Sequence, residues 1–459
     1  MGVAPPTDSA IVRPAIAPYE RRVPPVGSLM LSIPIERFTL DNGLRVNLSH
    51  DATTPVVAVN LWYGVGSRNE REGKTGFAHL FEHMMFQGSE HVPKNRHFEL
   101  IERAGGSLNA TTWFDRTNYF ETVPSHHLEL ALWLESDRMG WMLPAMTQDK
   151  LDNQRDVVMN EKRQRYDNQP YGDWDEWIQA MVFPESHPYH HTVIGSMEDI
   201  EAATLEDVAE FFQTYYVPNN AVLTVCGDFG RDEALDLIER HFGEIAQGEE
   251  IPAIPGDPNL DPTIGATVRE HVEAEVPLPR VLMAYRVPPF TDAGFYAADI
   301  AGSVLGTGRA SRLYRSLVRE RRVAKDVTSF VLPLTSGAGM LLVWATGFPD
   351  GDPCEIEDAL AAEMEGLSSV TDQEIERAVA LTETALVRQV EQVGQRADLM
   401  SMFDQFFDDP ARLNGELERL RAVTPADVSA FVGGFLGAEN RAVLTYVPAT
   451  VKSATPGVA

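Results

Sequence analysis

The sequence predicts an α+β fold made of two homologous domains. The main observation is an internal repeat, because residues 204–212 followed by 219–225 reappear as residues 424–431 followed by 439–446. The two copies are about 220 residues apart, and each is typical of a helix that leads into a short buried strand. A chain of 459 residues is long enough for two such units.

Each copy of the repeated helix begins with the same local signals. Thr204 and Thr424 stand at the N-cap position, and an Asp follows three residues later at the capping-box position. Pro425 occupies the first helical position of the second copy, where its missing N–H costs no hydrogen bond. A buried strand is predicted near the start of each domain, at Val56–Tyr63 and Arg280–Val287.

Proline content and the repeat together place the domain boundaries. Residues 247–265 contain four prolines and no hydrophobic periodicity, so we interpret them as the linker. The first domain then covers residues 35–246 and the second covers residues 266–459. Residues 1–34 form an N-terminal extension in this interpretation.

Composition and charge exclude several classes of protein. The net charge of −30 argues against nucleic acid and anionic membrane surfaces as partners. No run of 18 or more apolar residues occurs, so we expect no membrane span. Basic or unfolded peptides fit this charge as substrates, although solubility is its simpler explanation.

The N-terminal segment and the cysteines leave the compartment open. Residues 1–30 contain no continuous apolar region, so the protein is either cytoplasmic or a processed form of an exported, periplasmic protein. Cys226 and Cys354 form no CxxC pair, and we predict that both are buried as small apolar residues.

Residues 76–86 carry the pattern most informative about chemistry, within a largely apolar helix. His79 and His83 are four positions apart, so their imidazoles lie on one helix face and can bind one Zn²⁺. Glu82 can reach the same side and act as a general base toward a metal-bound water. This order, HxxEH, is the inverzincin signature. The alternative is a helix with surface histidines.

A catalytic zinc ion needs a third protein ligand. Residues 147–162 are predicted to form a helix, and Glu161 follows the apolar residues 157–159 on it. A carboxylate at that place can face the core and bind the metal. On this pattern alone, Glu161 is one of several candidates, and a solvent-facing Glu is the alternative.

Several segments together resemble the pitrilysin/insulinase family of zinc peptidases. Residues 65–86 (VGSRNEREGKTGFAHLFEHMMF) resemble the family's strand, loop and zinc helix, and residues 105–119 (GGSLNATTWFDRTNY) resemble its active-site edge strand. Residues 154–161 resemble its third-ligand helix. The resemblance covers about residues 35–450. It implies that each domain is a mainly antiparallel sheet packed with helices, in the half-clamshell of these metallopeptidases.

The resemblance also implies roles for individual residues. Glu161 is implied as the third ligand beside His79 and His83, for one zinc ion per chain, and Glu82 as the general base. An edge strand would pair with an extended peptide, and an aromatic residue would lie near the primed-side pocket. The residues implied in these substrate contacts are Asn109, Ala110 and Thr111 on the strand, and Phe86 at the pocket. Simple sheet structure is the alternative for the strand.

The sequence departs from the family pattern at two positions. Gln154 stands where many members carry a second Glu, so its amide can support the ligand set by hydrogen bonds but not by charge. Active single-chain members also carry an Arg and a Tyr in the second domain, which bind the substrate carbonyl and stabilise the oxyanion. Here Arg319 remains, but the Tyr position holds Lys325 or Asp326.

We therefore predict a zinc endopeptidase that acts on extended peptides and is completed by a second chain. A related subunit that carries the Arg/Tyr pair would form a heterodimer, and a homodimer of poor activity is the alternative. Two rival interpretations are a non-catalytic structural subunit of the same fold and a peptide-binding module that retains zinc for stability. The sequence retains all four motif residues, which favours the endopeptidase interpretation: His79, Glu82, His83 and Glu161.

Overall fold

The computed structural model describes residues 30–449. They form two sheets with helices packed against them, which confirms the α+β fold class. The strands of the first sheet lie within residues 36–227, and those of the second within residues 266–448. Most of the predicted N-terminal extension lies outside the described residues, and the domain boundaries stay a prediction.

The first sheet has six strands in the order β1-β2-β6-β3-β5-β4. Its strands are β1 (Glu36–Thr39), β2 (Arg45–His50), β3 (Val56–Tyr63), β4 (Ser107–Thr112), β5 (Thr117–Pro124) and β6 (Ala221–Gly227). The pair β2–β6 is parallel and the other pairs are antiparallel. Strand β4 is therefore an edge strand, and it presents outward N–H and C=O groups beside β5.

The side chains of β3 alternate between the two faces of this sheet. Val57, Val59 and Leu61 belong to the main core of the first half, whereas Asn60 and Trp62 face the opposite side. The helices of this half are α1 (Phe77–Met84), α2 (Arg96–Arg103), α3 (Leu128–Trp141), α4 (Gln148–Lys162), α5 (Trp174–Val182), α6 (Met197–Ala202), α7 (Leu205–Tyr215) and α8 (Arg231–Phe242).

The second sheet has five strands in the order β7-β11-β8-β10-β9. They are β7 (Ala266–Ala274), β8 (Arg280–Val287), β9 (Asp326–Leu332), β10 (Gly339–Thr346) and β11 (Asn440–Pro448). Its helices are α9 (Phe295–Gly306), α10 (Pro353–Gly366), α11 (Asp372–Glu391), α12 (Val393–Phe407), α13 (Glu416–Arg421) and α14 (Pro425–Phe435). The order matches β2-β6-β3-β5-β4 of the first sheet, as a repeat requires.

Local sequence signals hold well in the structure. The side chains of Thr204 and Thr424 each accept a hydrogen bond from the backbone N–H of the Asp three residues later. The carboxylate of that Asp accepts one from the backbone N–H of the Thr, so both capping boxes are present.

The prediction for Cys354 is wrong. Cys226 is buried, but Cys354 is exposed, because it lies in the solvent-facing first turn of α10 after the N-cap Asp352. Among residues 30–449, no helix has the length and apolar character needed to cross a membrane.

Helix α12 of the second half lies across the back of the first sheet. Asp404 of this helix is completely buried and pairs with Arg37 and Arg45, with N–O distances of 2.9 Å for both. One turn earlier on the same helix, Met400 packs on Cys226 of β6, with 3.6 Å between the sulfur atoms. The two halves are thus joined by a buried interface that contains charges as well as apolar contacts.

Candidate metal centre

Helix α1 carries its polar residues on one side because its other side is buried. Phe77, Leu80, Phe81 and Met84 pack into the core of the first half. The N-cap residue, Gly76, has a φ of 83°, a conformation that glycine adopts at little cost. The helix therefore begins at a fixed point and presents His79, Glu82 and His83 away from the core.

The start of α1 is held by Glu70, which the sequence did not single out. Its buried carboxylate accepts hydrogen bonds from the backbone N of Gly76 (2.8 Å) and of Ala78 (2.7 Å), and His191 Nε2 lies 2.9 Å away. Burial raises the pKa of Glu70. Burial lowers the pKa of His191, but the hydrogen bond and charge of Glu70 outweigh it and leave the pKa raised. Glu70 thus satisfies N–H groups that a helix start leaves unpaired.

The three predicted zinc ligands converge. The Nε2 atoms of His83 and His79 lie 3.4 Å and 3.9 Å from Oε2 of Glu161. One ligand atom from each side chain lies within 4.8 Å of the other two. Ligand atoms around a tetrahedral zinc ion, with bonds of about 2.0–2.2 Å, are roughly 3.3–3.6 Å apart. The set therefore fits one zinc ion after small movements.

The charges of these side chains suit metal binding at neutral pH. Burial, together with the neighbouring His83, lowers the pKa of His79 to about 4, so this imidazole is neutral. A hydrogen bond to His83 and nearby positive charge lower the pKa of Glu161, so its carboxylate is ionised. Arg165 Nη1 lies 2.7 Å from the second oxygen of Glu161 and holds that carboxylate in place. Neutral imidazoles and ionised carboxylates are the forms that bind metals.

Glu82 projects from α1 toward β4. Its Oε2 accepts a hydrogen bond of 2.6 Å from Thr112 Oγ1. Burial raises the pKa of Glu82, although the hydrogen bond from the Thr112 hydroxyl opposes that change. A carboxylate with a raised pKa is a stronger base toward water. Thr112 was missed in the sequence, where it is only the residue after the implied substrate strand.

The implied substrate residues lie on the edge strand β4, beside the ligand set. Ala110 is buried against the core, whereas Asn109 is exposed and Thr111 is half-buried on the opposite face. The backbone N–H of Ala110 donates to Asn109 Oδ1 at 2.9 Å. Because Thr112 on this strand donates to Glu82 on α1, the structure brings the strand next to α1. Substrate binding by these residues stays a prediction.

Phe86 and Gln154 make contacts with residues outside the set of three predicted ligands. Phe86 follows α1, and its ring lies 4.8 Å from the Phe98 ring and 5.0 Å from the guanidinium of Arg138. Gln154 is buried on α4, two turns before Glu161, and its amide donates to Asn153 Oδ1 at 2.9 Å. The aromatic pocket at Phe86 and the support from Gln154 stay predictions.

The Arg/Tyr segment of the second half is exposed. Arg319 lies on a π-helical turn, Tyr314–Glu320, and its side chain faces solvent. Lys325 and Asp326 are also exposed, at the point where β9 begins. No tyrosine follows Arg319 before the end of β9. That this chain lacks one member of the Arg/Tyr pair stays a prediction.

Comparison with known proteins identifies the family. The model described as "Insulinase (Peptidase family M16)" matches residues 45–183, and the one described as "Peptidase M16 inactive domain" matches residues 202–382. The zinc protease PqqE of Helicobacter pylori is 32% identical over 382 residues, which cover 81% of this chain and 81% of that protein. This chain belongs to the M16 peptidase family. The resemblance noted from the sequence is thereby confirmed.

Other relatives of this M16 chain agree. An uncharacterised zinc protease of Mycobacterium leprae is 31% identical over 321 residues, or 68% of this chain and 69% of that protein. The crystal structure of a protease from Helicobacter pylori matches with a TM-score of 0.85 and 27% identity, covering 91% of this chain and 100% of the other. The relatives named as zinc proteases place the M16 chain in the peptidase class. The matched residues 45–183 contain His79, Glu82, His83 and Glu161.

Proposed function

We propose that this M16 chain is a zinc-dependent endopeptidase that hydrolyses extended peptides. The observation that carries the proposal is the convergence of His79, His83 and Glu161 beside the buried carboxylate of Glu82. Two histidines and one carboxylate form a common ligand set of catalytic zinc, which keeps a fourth position for water. Mg²⁺ and Ca²⁺ prefer all-oxygen sites, so this donor set favours zinc, one ion per chain.

The residues present fit a bound zinc ion. His79 is neutral and Glu161 is ionised at neutral pH, for the reasons given above. The Nε2 atoms of His79 and His83 both face Oε2 of Glu161, at 3.9 Å and 3.4 Å, which is the arrangement that a metal between the three side chains requires. When bound, zinc supplies a Lewis acid that polarises the scissile carbonyl and lowers the pKa of a water to about 7.

Glu82 is the general base in this proposal. Thr112 occupies its Oε2, so Oε1 remains to take the proton of the attacking water and to pass it to the leaving amine. Burial of Glu82 raises its pKa toward the range in which such transfers are efficient. Hydrogen bonding and burial thus fix both the direction and the basicity of this carboxylate.

The substrate pairs with β4 in this proposal. An extended peptide added to the edge of the sheet would use backbone groups at Asn109, Ala110 and Thr111, which gives affinity without strict sequence selection. The aromatic ring of Phe86 would line a pocket for one side chain of the peptide. Because Thr112 continues the same strand and holds Glu82, a peptide in this register lies close to the base.

A related second subunit is proposed to complete the active site with an Arg/Tyr pair, in a heterodimer; a homodimer is the alternative. The segment around Arg319 supports association with an acidic surface, because six exposed cations lie between residues 309 and 325 of a chain with net charge −30. They are Arg309, Arg315, Arg319, Arg321, Arg322 and Lys325. Arg315 and Arg321 pair only loosely within this chain, with distances of 4.0 Å and 3.9 Å to their acids. Such association should weaken with added salt.

Zinc content and peptide cleavage test the proposal. Wild type and Glu82→Gln are measured alone and with a related M16 chain that carries the Arg and Tyr but lacks HxxEH. We expect about one zinc ion in both forms, and cleavage only by wild type with its partner. Absence of zinc from the wild type would refute the metal site. Full activity of the isolated chain would refute the partner, and equal inactivity of both forms with the partner would favour a structural subunit.

A further inference from the structure

Helix α12 of the second half places a carboxylate on the back of the metal-bearing sheet. Oδ1 of Asp398 accepts hydrogen bonds from Trp62 Nε1 (2.8 Å), Asn118 Nδ2 (3.0 Å) and Asn60 Nδ2 (3.3 Å). These three side chains are almost fully buried, on the central strands β3 and β5. A single carboxylate from one half therefore joins two strands of the other.

The hydrogen-bond chain continues from Asp398 to the edge strand. Asn118 is the cross-strand neighbour of Thr111, and its Oδ1 accepts a hydrogen bond of 2.6 Å from Thr111 Oγ1. Arg116, in the turn between β4 and β5, donates to the Thr111 carbonyl at 2.8 Å and also to the Thr111 hydroxyl. The guanidinium of Arg116 in turn lies 5.3 Å from the Trp62 ring. Thr111 is thus held through its side chain and its backbone.

Thr111 and Thr112 connect the two faces of the sheet. Thr112 faces the zinc helix and donates to Glu82, whereas the adjacent Thr111 faces the back and is tied to the Asp398 network. A strand at a sheet edge has a backbone partner on one side only, so hydrogen bonds from its side chains add to its positional restraint. A shift of this strand end would move both the peptide-binding edge and the base.

We propose that Asp398 is a positioning residue for peptide binding: through Asn118 and Thr111 it fixes the end of β4 that holds Glu82. The second half, matched in part by a domain described as inactive, would then set substrate affinity in the first half. This inference rests on the proposed peptidase function and adds to it a residue more than 200 positions away in the sequence.

Asp398→Asn tests the proposal, because it keeps the shape and one oxygen but removes the charge that strengthens the three hydrogen bonds. Asp404→Asn is a matched control. Asp404 lies on the same helix and is fully buried, but it pairs with Arg37 and Arg45, which lie near the edge of the sheet opposite to β4. Each substitution is introduced into the wild-type chain to measure KM and kcat. It is also introduced into the Glu82→Gln protein to measure the Kd of a fluorescent extended peptide. Zinc content and melting temperature are measured alongside.

We expect Asp398→Asn to raise Kd and KM about tenfold, or about 1.4 kcal/mol, with a smaller change in kcat and an unchanged zinc content. Asp404→Asn should lower the melting temperature at least as much without changing Kd. Equal rises of Kd in both variants would overturn the proposal, because they would indicate general loosening between the halves. An unchanged Kd in Asp398→Asn would overturn it too.

A second variant keeps the test independent of stability. Asn118→Ala breaks the link between Asp398 and Thr111, so adding it to Asp398→Asn should raise Kd little further. Fully additive effects of the two substitutions on the free energy of binding would overturn the proposed link from Asp398 to Thr111.

Binding of peptide to the Glu82→Gln protein requires no hydrolysis, so it can be measured apart from the proposed activity. If the parent chain binds peptide through this network but never cleaves it, the inference stands and the proposed function fails; if it binds no peptide, both fail.

Discussion

Replacing Glu70 by Gln tests whether the start of α1 determines the metal site. The Glu70 carboxylate accepts hydrogen bonds from two backbone N–H groups, at 2.8 Å and 2.7 Å, and from His191. Gln keeps the shape, but its NH₂ group would face one of these N–H donors. A hydrogen bond to a charged group contributes about 1.5–3 kcal/mol, and a buried unpaired donor costs about 1–3 kcal/mol. We expect the free energy of unfolding to fall by about 3 kcal/mol.

Urea unfolding of the zinc-free protein measures this loss, and chelator competition measures zinc affinity. Because α1 carries His79 and His83, a frayed helix start should weaken zinc binding as well. Glu72→Gln is the matched control, since Glu72 is exposed in the same loop. Surface substitutions change stability by less than about 0.5 kcal/mol. If Glu70→Gln behaves like this control in both assays, the carboxylate does not fix the helix start.

Three further predictions follow from named contacts. Thr112→Val removes the hydroxyl that holds Glu82, so kcat should fall about tenfold or more at constant zinc content, whereas Thr112→Ser should keep most of it. Glu161→Gln removes the charged ligand, and zinc affinity in chelator competition should fall by about a hundredfold or more. Hydrogen bonds from Arg312 lower the pKa of Glu374 from 4.5 to about 2, so the stability they give is present above pH 4.5 and lost toward pH 2. Melting temperatures measured between pH 4.5 and pH 2 should show this loss in wild type but not in Glu374→Gln. If the melting temperatures of both proteins fall in parallel over this range, the assignment is contradicted.

What the sequence predicted well depends on local patterns. His79 and His83 share a helix face because they are four residues apart, and no tertiary contact is needed to see it. The capping boxes at Thr204 and Thr424 are equally local, since the cap and its partner are three residues apart. The third ligand was different. Its helix was predictable, but only the family resemblance selected Glu161 among several acids.

What the sequence did not predict depends on contacts between distant residues. Glu70 stands in a charged loop, and its partner His191 is 121 residues away. Thr112 is 30 residues from Glu82, and no spacing rule connects a strand residue to a helix residue at that separation. Asp398 lies 280 residues from Asn118 and on the other half of the repeat. Such pairs become visible only when the sheet register and the packing of α12 are known.

The two copies of the repeat differ at the helix that follows β3 in the first half and β8 in the second half. Gly76 precedes α1 and Gly294 precedes α9, each at the N-cap. Counted from these glycines, the positions of His79 and His83 correspond to Ala297 and Ala301, which are 7% and 0% exposed. The imidazoles of one copy are therefore replaced by methyl groups in the other.

This exchange explains why the second half suits a supporting role. Residues 295–305 of α9 are nearly all buried, whereas α1 keeps a polar side that is partly open. Each square ångström of apolar surface that is buried stabilises the fold by about 25 cal/mol, so a helix without polar ligands adds more to the stability of its half. The role proposed for Asp398 requires a stable position of α12, because this residue can fix β4 only if its own helix does not move. In the two proposals together, one copy retains the groups for chemistry and the other restrains the strand on which that chemistry depends.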